Sequence, residues 1–339
     1  MFSRPVTVQY VQQANSVFAG ISKPAPDMVE DKPSGEDQAS NFYGVSHFPC
    51  CITNFPQGWP KFAQSAVMAA TDGSAAFVVA SLVPLRAAVP IGSGATATVV
   101  IATSYPFGDS ARVSVHVPAS ATTATAHVRI PGWADAATID GAAAANGTLV
   151  AVRCAAGKNT SVLVQLNPAV RLTAGWGVVS DADDPTEPPT NAMTVTRGAL
   201  LFALHPVEDR RVVHRYDDAL PDRPKAVDYE ISTKESWAFA LMAGGSSPAD
   251  RFTFSSSPSA GWSPAFPFDT ENYPFSILAP ARPLSTWGYW QGTNITAQPP
   301  PSPVDCEEAQ AGCGAHEQIR LTPFGATNIR ISVWPWVKE

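Results

Sequence analysis

Short runs in which apolar and polar residues alternate are the feature that most restricts the fold of this chain. Val113, Val115 and Val117 are each separated by one polar residue, and the same period of two recurs in TATVVI, ATAHVRI and SVLVQL. Each run is short, rich in β-branched residues and bounded by Gly, Pro, Asn or Asp. This pattern is typical of antiparallel strands that expose one face to solvent. Since no helical pattern separates the runs, we predict a β-sandwich that begins near Ser74.

A second set of strands is predicted after the segment DADDPTEPPTN, which spans Asp181 to Asn191. Calcium binding by its four acids is one interpretation, but their spacing matches no calcium motif, and a solvated inter-domain linker is favoured. Strand patterns resume in TVTRGALLFAL, VDYEI, WAFALM and the late run NIRISVW. The predicted fold is therefore mainly β, with antiparallel sandwich domains over residues 74–180 and 181–339.

The first 73 residues differ from the rest of the chain. They contain a polar, Pro-rich loop from Lys23 to Asp37 and one predicted helix that begins at Pro60 and continues through KFAQSAVMAA. Apolar residues recur at helical spacing from Phe62 to Ala70, and Asp72-Gly73 is a stop signal. We predict a separate segment of loop and helix over residues 1–73.

Composition narrows the partners. The formal net charge is −7 with only 15% charged residues, and no Lys/Arg-rich run is present, so we expect no nucleic-acid partner. A neutral or weakly charged ligand is the simpler expectation. No run of eighteen apolar residues occurs, which predicts no membrane span. The N-terminal residues lack the apolar core of a secretory signal, whereas three N-x-S/T sequons, at Asn146, Asn159 and Asn294, are compatible with secretion. The localisation stays open.

Two of the five cysteines, Cys50 and Cys51, are adjacent in the stretch HFPCCITNFPQGWPKF. Neighbouring cysteines cannot easily bridge each other. They are therefore buried thiols, halves of two separate bridges, or thiolates that act together as metal ligands or as a nucleophile. Cys306 and Cys313 flank the loop CEEAQAGC, where a local disulfide and two unpaired thiols are both open interpretations.

Tryptophans are the remaining candidates for ligand contact. For Trp59, packing against the following helix is favoured over contact with a sugar. Trp133 is expected to be a structural anchor after a strand. Trp287 and Trp290, in STWGYWQG, are the predicted exposed aromatic surface.

Several long stretches of this chain resemble glycoside hydrolase family 127, the β-L-arabinofuranosidase-like group. The landmarks occur in the family's order: QYVQQANSVFAGIS, CCITNFPQGWPKF, RIPGWA, TRGALLFAL, PPSPV and LTPFGATNIRISVWP. They extend from about Gln9 to Trp336. The resemblance implies an α/α toroid that carries the active site, followed by two β-sandwich domains, so residues 1–73 correspond to a short toroid remnant.

The resemblance also implies a retaining mechanism. Cys50 would attack the anomeric carbon, and a zinc ion bound by Cys50 and Cys51 would keep the nucleophile ionised. The family's further zinc ligands, in a Glu-x-Cys motif, and its acid/base carboxylate lie upstream of the cysteine pair. The 49 residues before Cys50 contain no other cysteine, and their first acid is Asp27. We therefore expect a truncated enzyme that alone is weakly active or inactive.

Two functions follow from this comparison. The first is a glycoside hydrolase of the β-L-arabinofuranosidase type that acts on an L-arabinofuranoside-containing glycan. The second is a non-catalytic β-sandwich module that binds carbohydrate or has a structural role. They differ in whether the missing Glu-x-Cys motif and the accompanying acid are supplied.

Overall fold

The computed structural model describes residues 13–20, 57–92, 94–176, 190–215, 227–245 and 248–337. These residues belong to two compact units, one of residues 57–169 and one of residues 13–20 together with 170–337. The boundaries predicted after residues 73 and 180 remain predictions. The mainly β prediction is confirmed, since strands dominate both units.

The first unit contains one α-helix and ten strands in the described residues. These elements are α1 (Gly58–Gln64), β2 (Val67–Ala69), β3 (Ala76–Val79), β4 (Leu85–Ile91), β5 (Ala95–Thr103), β6 (Ser110–His116), β7 (Ala124–Arg129), β8 (Thr138–Ile139), β9 (Ala142–Ala143), β10 (Leu149–Cys154) and β11 (Asn159–Gln165), where β1 (Asn15–Ser16) precedes them in the chain and belongs to the other unit.

Two sheets of the first unit share one core. A four-stranded sheet has the order β10-β7-β3-β2, and a six-stranded sheet has the order β4-β5-β6-β11-β8-β9. Val99 of β5 lies opposite Val115 of β6, and both are buried, whereas Val100, the next residue of β5, is exposed. The alternation seen in the sequence therefore places one face of each sheet in the core. All four runs predicted as strands here are strands.

The predicted helix is shorter than expected. It ends at Gln64 rather than near Ala70, and Val67–Ala69 is the edge strand β2 paired with β3. A helix of seven residues gains little from its own hydrogen bonds. Strand β3 provides backbone hydrogen-bond partners for the residues that follow the helix, and Ala66 beside it is fully buried. These residues therefore form an edge strand of the sheet and do not extend the helix.

The second unit is built on a ten-stranded sheet. Its strands after β1 are β12 (Val170–Trp176), β13 (Ala192–Arg197), β14 (Leu200–Leu204), β15 (Asp209–Arg215), β16 (Val227–Ser232), β17 (Phe239–Met242), β18 (Thr253–Ser255), β19 (Ser276–Pro283), β20 (Glu317–Pro323), β21 (Arg330–Ile331) and β22 (Trp336–Val337), and its short 3-10 turns are Pro248–Arg251, Trp290–Gly292, Ala309–Ala311 and Phe324–Ala326.

The order of the main path is β1-β21-β14-β20-β19-β17-β22, while β15 and β16 form a separate hairpin. Strand β1 brings residues near position 15 beside residues near position 331, in register Asn15 to Ile331. The early and late parts of the chain are thereby joined in one sheet. No helix in the described ranges is long and apolar enough to cross a membrane.

Candidate functional site

The predicted nucleophile and metal ligands, Cys50 and Cys51, lie outside the described residues. The same holds for His47 and Asn54 beside them, and the description resumes at Gln57. Within the described ranges, no group of three or more His, Cys, Asp or Glu side chains is placed to hold a metal ion. The roles of Cys50 and Cys51 therefore stay predictions.

A groove of about 420 Å³ lies in the second unit, and we call it the neutral groove. Segments from four parts of the sequence meet there. Among the residues that the structure describes, none that lines the groove carries a formal charge: they are Gln13, Ala14, Asn15, Thr190, Ile295, Thr296, Ala297, Gln298, Pro299 and Val333.

Asn15 fixes one wall of the neutral groove. Its side-chain Nδ2 donates to the carbonyl of Val333 at 2.7 Å, and its Oδ1 accepts from the backbone N–H groups of Ser332 at 2.9 Å and Val333 at 3.0 Å. All three bonds join β1 to the residues that directly follow β21. The side-chain amide therefore serves as a rigid connection between residues that are more than 300 positions apart.

Thr296 fixes the opposite wall. Its Oγ1 accepts a hydrogen bond from the N–H of the buried Val17 at 3.1 Å. The backbone around it forms a turn, in which the N–H of Trp290 donates to Ile295 and the N–H of Ala297 donates to Gly288. This turn carries the groove residues 295–298.

An aromatic cluster of Trp237, Trp287 and Tyr289 supports that turn. Trp287 contacts Trp237 edge-on at 5.4 Å between ring centroids, and its Nε1 donates to the carbonyl of Ala297 at 3.0 Å. Burial raises the pKa of the Tyr289 phenol, and a hydrogen bond with Trp237 offsets part of this. The prediction that Trp287 is exposed is wrong, because the ring is only 4% exposed. Trp290 is 38% exposed, as predicted.

The other two tryptophans considered as candidates for ligand contact, Trp59 and Trp133, lie in the first unit. Trp133 stacks on Tyr105 at 5.7 Å and packs against the core, which confirms its role as an anchor. Trp59 lies on α1, 5.6 Å from the ring of Phe62, and is 71% exposed.

A buried ionic cluster was not anticipated from the sequence. Glu208, with a side chain only 6% exposed, accepts hydrogen bonds from His205 at 2.8 Å, from Asn328 at 3.2 Å and from the Arg210 guanidinium. Burial alone raises the pKa of the Glu208 carboxyl, but His205 and Arg210 outweigh it and hold the pKa below its usual value. No local sequence pattern signals this, since Asn328 lies 120 residues from Glu208.

Arg330 connects the ionic cluster to the neutral groove. It is fully buried, and its NH1 group donates to the carbonyl of Gln13 at 3.0 Å while NH2 donates to the carbonyl of Asn328 at 2.6 Å. Burial lowers the pKa of the guanidinium to about 10, and the charge of Glu208 acts in the opposite direction. The backbone at Gln13 is thus held by a buried cation.

The question left open for Cys306 and Cys313 is answered by a disulfide between them, with 5.6 Å between their Cα atoms. The loop of residues 306–313, which the disulfide closes, contacts the first residues of the turn that contains Trp287. Ser285 and Thr286 donate through their hydroxyls to the carbonyls of Gly312 and Ala311, each at 3.0 Å. Cys154, in the first unit, is a buried free thiol.

No described protein family matches the sequence, and no curated protein matches it either. Solved structures do match. A GH127 β-L-arabinofuranosidase from Geobacillus stearothermophilus T6 is similar over 98% of this chain with a TM-score of 0.56 and 15% identity. A structure described as a glycoside hydrolase (TM-score 0.48, 15% identity, 89% of this chain) and a GH127 β-arabinofuranosidase (TM-score 0.49, 13% identity, 96% of this chain) are also similar.

This chain spans less than half the length of each of these structures, with 43%, 46% and 43% covered. At 15% identity, the likeness to the Geobacillus protein concerns the fold. The resemblance inferred from the sequence landmarks is therefore confirmed at that level: this chain has the fold of part of a GH127 β-L-arabinofuranosidase.

Proposed function

We propose that this chain is part of a retaining glycoside hydrolase of the β-L-arabinofuranosidase type, with Cys50 as the nucleophile. The observation that carries the proposal is the stretch CCITNFPQGWPKF, which stands among landmarks in the family's order. The fold likeness to a GH127 enzyme over 98% of the chain supports it. The substrate class is a glycan that contains L-arabinofuranosyl residues.

The chemistry requires an ionised thiol. The Cys50 thiolate attacks the anomeric carbon and the glycosidic bond breaks, which gives a thioglycosyl intermediate that water then hydrolyses with retention. A carboxylic acid must protonate the departing oxygen and later deprotonate the water. None of the acids that precede Cys50 is assigned this acid/base role.

The donor set fits zinc in part. Cys50 and Cys51 offer two soft thiolate ligands of the kind zinc prefers, and a zinc site in a protein has four ligands as a rule. When bound, zinc would lower the pKa of the coordinated thiol. Because two ligands alone hold a metal weakly, we expect the 339-residue chain to retain well under one equivalent of zinc after dialysis and to turn over substrate slowly.

The test measures zinc content by mass spectrometry and hydrolysis of a fluorogenic β-L-arabinofuranoside, for the wild-type chain and Cys50→Ser. Cys154→Ala is the matched control, since it removes a buried thiol in the first unit. Slow hydrolysis is expected to disappear in Cys50→Ser and to persist in Cys154→Ala. Equal hydrolysis by wild type and Cys50→Ser would refute the nucleophile, and a full equivalent of zinc would refute weak metal binding.

A non-catalytic carbohydrate-binding module is the second candidate function. The uncharged lining of the neutral groove favours it, because sugars are neutral ligands rich in hydroxyl groups. One result distinguishes the two functions. A chain that binds sugar but shows no hydrolysis dependent on Cys50 is a binding module and not a hydrolase.

A further inference from the structure

We propose that the neutral groove of the second unit is a binding site for an uncharged sugar ring, with Gln13 and Gln298 as its hydrogen-bonding side chains. This inference rests on the carbohydrate-directed part of the proposed function and not on Cys50. Its success or failure is therefore independent of the nucleophile.

The size and charge of the groove select the ligand class. Its volume of about 420 Å³ falls within the range of small-molecule sites, roughly 300–1,000 Å³. A carboxylate, phosphate or ammonium group placed there would lose water without gaining an opposite charge from any of the described lining side chains. A neutral ligand avoids this cost.

Two amide side chains are available to such a ligand. Gln13 and Gln298 line the groove and are exposed, and neither makes a side-chain hydrogen bond within the described part of the chain. Each amide offers one acceptor and two donor hydrogens, which suits vicinal hydroxyl groups. Ile295 and Val333 also line the groove, and their apolar side chains can contact the C–H faces of a ring.

The backbone that carries these amides is already fixed. Gln13 is held through its carbonyl by the buried Arg330, and Asn15, two positions later, is bonded to Val333. Thr296, which lies two positions before Gln298, accepts a hydrogen bond from the backbone of Val17. A site whose backbone is ordered before binding loses less conformational entropy when the ligand arrives.

Trp290 lies on the turn that carries groove residues 295–298. Its N–H donates to the carbonyl of Ile295 at 2.8 Å, so the turn that carries the groove wall also carries this 38% exposed indole.

The experiment is a ligand-observed NMR titration of the full chain with L-arabinose, D-galactose and D-galacturonate. Galactose and galacturonate differ only at the oxidised carbon, so they isolate the effect of charge. We expect saturation transfer to L-arabinose or galactose and none to galacturonate. Failure of both neutral sugars to bind, or equal binding of galacturonate, would overturn the proposal.

Two kinds of variant locate the site. Gln13→Ala and Gln298→Ala are each expected to raise Kd about threefold to tenfold, the loss of one or two hydrogen bonds. Ala14→Trp, at an exposed lining position, should fill the groove and abolish binding. Gln318→Ala, which removes an exposed glutamine from β20, is the matched control and should bind as the wild type does.

Cys50→Ser distinguishes this proposal from the proposed hydrolase. Sugar binding should be unchanged in that variant whether or not hydrolysis depends on Cys50. Binding that survives both Ala14→Trp and the double change Gln13→Ala/Gln298→Ala would place the sugar elsewhere and refute the groove. The two glutamine changes are on exposed side chains, so they test the proposal even if Ala14→Trp fails to fold.

Discussion

At the scale of single residues, the second unit depends on a buried cation with mostly uncharged partners. Arg330 is fully buried and donates to the carbonyls of Gln13, Thr327 and Asn328. Carbonyl dipoles satisfy its donors, and Glu208 provides a favourable charge nearby. A buried charge without a compensating charge destabilises the folded state. Removal of the Glu208 charge should therefore make the burial of the Arg330 guanidinium less favourable.

Glu208→Gln should lower the free energy of unfolding by about 1–3 kcal/mol at pH 7, since it weakens hydrogen bonds to a charged, buried acceptor. The native pKa of Glu208 is below the unfolded value of about 4.3. Its ionisation therefore stabilises the fold above about pH 4.3, and this stabilisation is lost as the pH falls through the native pKa. Urea unfolding at pH 7, 5 and 3 should show the two proteins converge at the lowest pH.

Glu230→Gln is the control for that measurement. Glu230 pairs with Arg211 at 2.9 Å, but the arginine side chain is 67% exposed, and such pairs contribute about 0–1 kcal/mol. A stability difference between wild type and Glu208→Gln that stays constant from pH 7 to pH 3 would contradict the account.

At the scale of elements, the turn of residues 284–297 is held from two sides. The aromatic cluster packs beneath it, and the disulfide-closed loop of residues 306–313 docks on its first residues. Gly312 has φ of 67°, in the left-handed region, so it allows the loop to turn back at Cys313. The disulfide thus stabilises the support of a groove wall.

The double change Cys306→Ser/Cys313→Ser should lower the free energy of unfolding by about 2–3 kcal/mol, the loop-entropy value for a closed loop of this length. Urea unfolding with and without a reductant measures it. Reduced wild type should match the variant, and the variant itself should not respond to reductant. Equal stability of oxidised wild type and the variant would show that the bridge contributes nothing.

Whether a strand could be predicted from the sequence depends on how its residues alternate and on where its partner strands lie in the chain. Strands with clear alternation, such as β6 and β7, were predictable because one face of each is buried. Strand β19 was not, because Pro280 and Pro283 within it indicate a break, yet it pairs with β17, β18 and β20. Its partners lie far away in the chain, and long-range pairing outweighs the local signal.

The neutral groove was not predicted from the sequence because it also depends on contacts between distant parts of the chain. The neutral groove joins residues 13–15, 190, 295–299 and 333, and only folding brings them together. Glutamines and threonines in loops carry no distinctive pattern. In contrast, Cys50 and Cys51 were singled out by an unusual local sequence, which says what they are suited to do and nothing of where they lie.

At the scale of the whole molecule, the first unit has a complete core of its own. Its buried residues lie between Phe77 and Leu166, and they pack between the four-stranded and the six-stranded sheet. Because the strands of the unit itself cover this core, we expect the unit to fold without the rest of the chain.

A fragment of residues 57–169 should therefore unfold cooperatively in urea, with a free energy of about 5 kcal/mol or more. Ile101→Ala, at a site 2% exposed in β5, should lower this by about 2–5 kcal/mol, because it leaves a cavity in the core. Val100→Ala is the matched control one position away on the exposed face, and its effect should stay within about 0.5 kcal/mol. A fragment with no cooperative transition, or equal effects of the two changes, would mean that this core depends on residues outside the unit.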